Sequence, residues 1–136
     1  IFLKYRENKH LKIYTENSNL GNRPGIFYMC LFKINKTEFI KIGITSKSIE
    51  KRFNKSEYDK YTYKILQKIE TTNLISAKIE HHLLKNCNNR FIFSPDIIFN
   101  GYSECFDLSD KDILISLLED FFFLFINRVL CDWFSI

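Results

Sequence analysis

Apolar and polar residues follow one another along the chain with a period that switches between two and about 3.6. Residues 25–34, GIFYMCLFKI, are apolar on both faces, as a central strand requires. Asn35-Lys36-Thr37 is a tight turn signal. Residues 38–44, EFIKIGI, then place Ile40, Ile42 and Ile44 on one face and Phe39, Lys41 and Gly43 on the other. Together these predict an antiparallel hairpin. The hydroxyls of Thr45-Ser46-Lys47-Ser48 offer N-caps for a helix over 48–57, with Ile49 and Phe53 facing the sheet and Arg52 beside them. Residues 61–70, YTYKILQKIE, alternate and give a third strand. Thr71-Thr72-Asn73 caps a second helix over 74–86, where Ile75, Ile79 and Leu83 recur one turn apart.

The two ends read differently. Residues 1–23 are polar and include a turn-forming run, Glu16–Asn22, before Pro24. They predict an N-terminal arm or linker with a short strand or helix near 10–14. Residues 87–103 are loop-like, and Ser103–Leu108 reads as a short edge strand. Ser109-Asp110-Lys111-Asp112 has the spacing of a capping box, with Asp in place of Glu or Gln. It predicts a final helix over 110–133, within a C-terminal segment 109–136. The Phe121–Ile126 run in that helix is apolar all round, but any window of about 20 residues there includes Glu119 and Asp120, and usually Arg128. The expectation is therefore no membrane span. The helix should instead cover the sheet face opposite the cleft; the alternative is pairing with the same helix of a second chain in a homodimer.

The chain has 136 residues, a length that predicts one domain. Hydrophobic residues make up 46% and charged residues 26%, which excludes a disordered or collagen-like chain. With 14 Phe, 7 Tyr and a single Ala, the core must be built from rings and branched side chains. Charge is unevenly spread. Residues 1–68 carry 15 Lys and Arg against 6 Asp and Glu, and residues 69–136 carry 5 against 10. A basic half can draw a polyanion by releasing its condensed counterions. Cys30, Cys87, Cys105 and Cys131 are scattered with no CxxC pair, so a structural zinc site is not expected. They read as reduced thiols of an intracellular protein. No signal peptide is visible, and a chain that begins at Ile1 rather than Met reads as a segment of a longer protein.

Four polar residues stand out by where these elements put them: Tyr28 in the first strand, Lys41 in the second, Arg52 in the first helix and Glu80 in the second helix. Lys, Arg and Glu are costly to bury and together suit a cleft better than a core. They also match the parts that phosphodiester hydrolysis needs. Tyr28 or Lys41 could take the proton of the attacking water, Arg52 has a fork suited to phosphate, and the carboxylate of Glu80 could hold Mg²⁺. On the first helix Lys47, Lys51 and Lys55 recur at turn spacing and would form one basic stripe toward a phosphate backbone.

At these residues the chain resembles a known family. Gly25-Ile26-Phe27-Tyr28, Lys41-Ile42-Gly43 and Glu50-Lys51-Arg52-Phe53 resemble the motifs of the GIY-YIG endonuclease superfamily. The likeness is closer to its phage and large-DNA-virus branch, whose second motif commonly reads KIG. Ile79-Glu80 is similar to the family's metal-binding Glu, and Asn100-Gly101-Tyr102 with Glu104-Cys105-Phe106 resembles its closing segment. The first motif reads GIFY, so the expected Tyr is either displaced to Tyr28 or replaced by Phe27. Adjacent strand residues face opposite ways, and only one can enter the site.

The resemblance covers residues 24–108. It implies an α+β domain with a three-stranded antiparallel sheet flanked by helices, and metal-dependent cleavage of DNA. The cofactor would be Mg²⁺ or Mn²⁺. The site would be Tyr28, Lys41, Arg52 and Glu80, with Lys47, Lys51, Lys55 and Asn100 contacting nucleic acid and no small-molecule substrate. The alternatives are a degenerate copy that binds nucleic acid without cutting it, and an unrelated α+β interaction domain.

Overall fold

The computed structural model describes residues 9–54, 60–87 and 104–134. In chain order the elements are α1 (Lys9–Glu16), α2 (Ser18–Gly21), β1 (Pro24–Ile34), β2 (Thr37–Thr45), α3 (Ile49–Phe53), β3 (Thr62–Thr72), α4 (Asn73–Asn86), β4 (Cys105–Asp107), a 3-10 turn over Leu108–Asp110 and α5 (Lys111–Phe134). The class is α+β, and the sheet is antiparallel with the order β3-β1-β2-β4. Among the described residues it has four strands, not the expected three. The extra one is the short edge strand near 103–108, which joins β2 through Phe39↔Asp107, Ile40↔Phe106 and Lys41↔Cys105. Cys105 and Phe106 are both buried, one on each face, and that two-sided burial fixes three residues into the sheet.

β1 is the central strand, and its continuous apolar run is the consequence. Phe27 and Met29 face one core with Ile40 and Ile42 of β2, Ile79 and Leu83 of α4, and Leu114 and Leu118 of α5. Tyr28, Cys30 and Phe32 face the other with Phe39 of β2 and Ile49 and Phe53 of α3. The second core is mostly aromatic. Phe53 meets Phe32 edge-on at 4.9 Å and 81°, and Tyr61 meets Phe32 at 6.1 Å and 78°, geometries that ring quadrupoles favour. The hairpin turn needs a left-handed residue, which Asn35 supplies at φ 53°.

Local chemistry sets the helix ends. Ser48 Oγ accepts from Lys51 N (3.1 Å) and starts α3; Thr72 Oγ1 accepts from Ile75 N (3.2 Å) and starts α4. α3 is shorter than expected, ending at Phe53 instead of residue 57. α5 is preceded by a different device from the expected Ser109 box: Asp107 Oδ1 accepts from both N and Oγ of Ser109, each at 3.0 Å, and caps the 3-10 turn. The expected arm is helical over 9–16 and 18–21 and is tied to α4, since Asn73 Nδ2 donates to Leu20 O (3.0 Å) and Asn73 N to Arg23 O (2.9 Å).

β3 carries one irregularity. Its register with β1 shifts between Met29 and Cys30, where Leu66 is the extra residue of a bulge. Before the bulge, Tyr63 and Ile65 lie opposite Phe32 and Cys30; after it, Lys68 and Glu70 lie opposite Tyr28 and Ile26. A bulge reverses the alternation, so odd-numbered residues share the α3 face below it and even-numbered residues above it.

α5 is two helices in one. Leu114 and Leu118 are buried and Ile115, Leu117, Phe121 and Phe122 pack against the first core, alongside α4. Beyond them Phe123, Leu124, Ile126, Val129, Leu130 and Trp133 are exposed. Among the described residues no helix is long and apolar enough to cross a membrane. Leu114→Ala should cost about 2–5 kcal/mol of stability in urea unfolding, because a fully buried Leu leaves a cavity. Phe123→Ser should shift stability by no more than about 0.5 kcal/mol, as for other surface positions.

Candidate functional site

The hairpin register decides which of two adjacent aromatics reaches the site. Tyr28 pairs with Gly43, and Cys30 with Lys41, so Tyr28, Lys41 and Gly43 share the α3 face. Phe27 pairs with Ile44 and points into the opposite core. Gly43 is required there: a Cβ at that position would overlap the Tyr28 hydroxyl and its ring. The phenol therefore lies flat across a gap in β2, with Phe53 edge-on at 5.2 Å and 82°. Arg52 precedes Phe53 on α3, half-buried, with its guanidinium carbon 5.8 Å from the Phe53 ring centre. Phe53 thus links the Tyr28 ring and the Arg52 guanidinium on this face.

Lys41 is fully buried, and its ammonium meets a carboxylate the sequence reading left in the background: Nζ lies 3.3 Å from Glu104 Oε2. Glu104 immediately precedes the short strand that pairs with Lys41, and that pairing brings the two together. Burial pushes the Glu104 carboxyl above its ordinary range and Glu80 adds repulsion, while the Lys41 charge and hydrogen bond pull it down.

Glu80 lies on α4, whose Ile79 and Leu83 cover the other face of the sheet, and it is only 2% exposed. Its carboxylate faces His10 of α1, with Oε1 at 4.0 Å from Nδ1, and its charge reaches Glu104. Hydrogen bonding toward Glu80 raises His10 above 6.5, against the partial burial of the ring. The four predicted residues fall into two connected groups. Tyr28, Lys41 and Arg52 are gathered on one face, and Glu80 joins Lys41 through Glu104. His10, in the supposed arm, had no signal in the sequence beyond its place on a polar helix.

The basic stripe is not formed as expected. Ser48 caps α3, so Lys47 lies before the helix in a bend, whereas Lys51 is on it and exposed. Lys55 and Asn100 lie outside the described residues. None of the four cysteines is in a disulfide. Burial pushes the thiols of Cys30 and Cys105 up to about 12 despite nearby Lys41, so both stay neutral packing groups at pH 7.

For a metal, the donor chemistry is a buried carboxylate, Glu80, with a second carboxylate and an imidazole in its surroundings. Among the described residues no three His, Cys, Asp or Glu side chains are placed to hold an ion together. Compared with known proteins, the chain matches no family model, no curated protein and no solved structure.

Two measurements test this geometry. Gly43→Ala should destabilise the fold by about 1–3 kcal/mol, as overpacking does, and Tyr28→Phe in the same chain should recover part of it by removing the nearest atom. His10 should titrate above 6.5 in an NMR pH series, and Glu80→Gln should bring it down. A raised folded-state value means the contact stabilises fully below 6.5 and loses that contribution as pH rises through the folded value. His10→Ala should therefore lower stability at pH 6 more than at pH 9.

Proposed function

We propose that this chain is a metal-dependent DNA endonuclease of the GIY-YIG type, hydrolysing phosphodiester bonds. The observation that carries the reading is the Tyr28–Gly43 pair. Gly43 of the KIG motif opens the space in which the Tyr28 phenol lies, beside Lys41 and under the helix that carries Arg52. Three motif residues far apart in sequence are thereby given one face and a mutual geometry.

In this reading Arg52 binds the scissile phosphate through its planar fork and steadies the charge that builds in the transition state. Tyr28 and Lys41, on the same face of the sheet, handle the proton of the attacking water, with Lys41 paired to Glu104. Glu80 would hold Mg²⁺ or Mn²⁺, which when bound supplies charge neutralisation at the phosphate and leaving oxygens. The duplex is the substrate, and its phosphates meet the basic half of the chain.

The test is nicking of supercoiled plasmid in Mg²⁺ or Mn²⁺, with duplex binding measured in parallel. Arg52→Ala should lower the rate roughly 10²–10³-fold, the loss typical of a group that stabilises developing charge. Glu80→Ala should abolish cleavage and leave binding intact or slightly tighter, since a negative charge is removed. Cleavage that survives Glu80→Ala but is lost in Glu104→Ala would transfer the metal to Glu104. Binding without cleavage would make the chain a degenerate nucleic-acid-binding copy, and no binding at all an α+β interaction domain.

A further inference from the structure

The bulge in β3 places a cation where simple alternation would not. Counted from Tyr63 and Ile65, Lys68 should lie on the α4 face. The extra residue, Leu66, sends it to the α3 face instead, directly opposite Tyr28. Across the sheet the row is Lys68, Tyr28, Gly43, with neighbouring Cα atoms about 5 Å apart. Tyr28 is 1% exposed, whereas Lys68 is 43% exposed. The row thus runs from a buried phenol to a solvent-facing ammonium. Phe53 stands over Phe32 and Tyr63 and edge-on to Tyr28, so among the described residues of this row it is Lys68 that is exposed to a large ligand. Lys68 Nζ is engaged by Glu70 Oε1 at 3.2 Å, and Glu70 is 72% exposed. An exposed pair of this kind is weak, and a polyanion can displace its carboxylate.

We propose that Lys68 seats a DNA backbone phosphate beside Tyr28, and that Glu70 occupies its ammonium until the duplex arrives. This rests on the nuclease reading and extends it to where the strand crosses the site. Lys64 supplies the internal control: it lies opposite Leu31, on the other side of the bulge, and its side chain faces away from Tyr28.

The experiment is fluorescence anisotropy of a short labelled DNA duplex with the full chain, in EDTA so that binding is read without cleavage, over a salt series. Lys68→Gln should weaken binding severalfold for every duplex sequence and lower the slope of log K against log salt by about 0.9, one phosphate contact. Glu70→Gln should act in the opposite direction and tighten binding. Lys64→Gln should change neither affinity nor slope. Equal losses from Lys68→Gln and Lys64→Gln would reduce the effect to general charge and overturn the proposal, as would tighter binding failing to appear in Glu70→Gln. If Lys68→Gln binds like the parent while Arg52→Ala weakens binding, the nuclease reading stands and the seat at Lys68 falls. A parent chain that binds no duplex overturns both.

Discussion

β1 is hydrogen-bonded on both edges and buried on both faces, and most of the molecule is arranged around that constraint. Two-sided burial forces consecutive residues into different cores, so Phe27 and Tyr28 cannot exchange roles without turning every side chain of the strand over. The antiparallel register with β2 then leaves one position opposite Tyr28, and only glycine fits it. The Tyr28 ring and hydroxyl have room because their neighbour in β2 has no side chain. Lys41 is accommodated in a related way. Its ammonium would be costly in the sheet without a partner, and the three-residue β4 brings Glu104 to it.

The charged groups of the site are thus held by the ends of elements rather than their middles. Arg52 sits in the last turn of a five-residue helix, Glu104 one residue before a three-residue strand, and His10 in the first turn of α1. Ends are where a rigid framework meets solvent, and where side chains can converge without filling the core. Lys41, midway along β2, is one exception, and Glu80 is the other. It is buried in the middle of α4, and the charges around it, His10 and Glu104, come from segments distant in sequence.

Strands and helices were legible wherever the signal was local. β1 followed from its continuous apolar run, β2 from alternation, and α3 and α4 from the Ser48 and Thr72 hydroxyls that do cap them. The choice between Phe27 and Tyr28 needed the pairing register, which no single strand contains. The bulge at Leu66 is likewise a property of two strands, and the even alternation of residues 61–70 conceals it. The basic stripe assumed that Lys47 belongs to α3. Lys47, Lys51 and Lys55 are evenly spaced in sequence, but the cap at Ser48 leaves the first of them outside the helix. The cluster of Glu104 and His10 around Lys41 and Glu80 joins four segments, and only tertiary packing could reveal it.

The division of α5 into a docked half and an exposed half has a thermodynamic consequence. Backbone hydrogen bonds near Leu114 break only when the domain unfolds, whereas those near Trp133 need only the local opening of an unsupported helix end. Amide exchange along this one helix should therefore run from the slowest class in the domain to the fastest. The segment that opens first is also the richest in exposed rings and branched side chains. Self-association through this segment should therefore rise with concentration while leaving the fold of the domain intact.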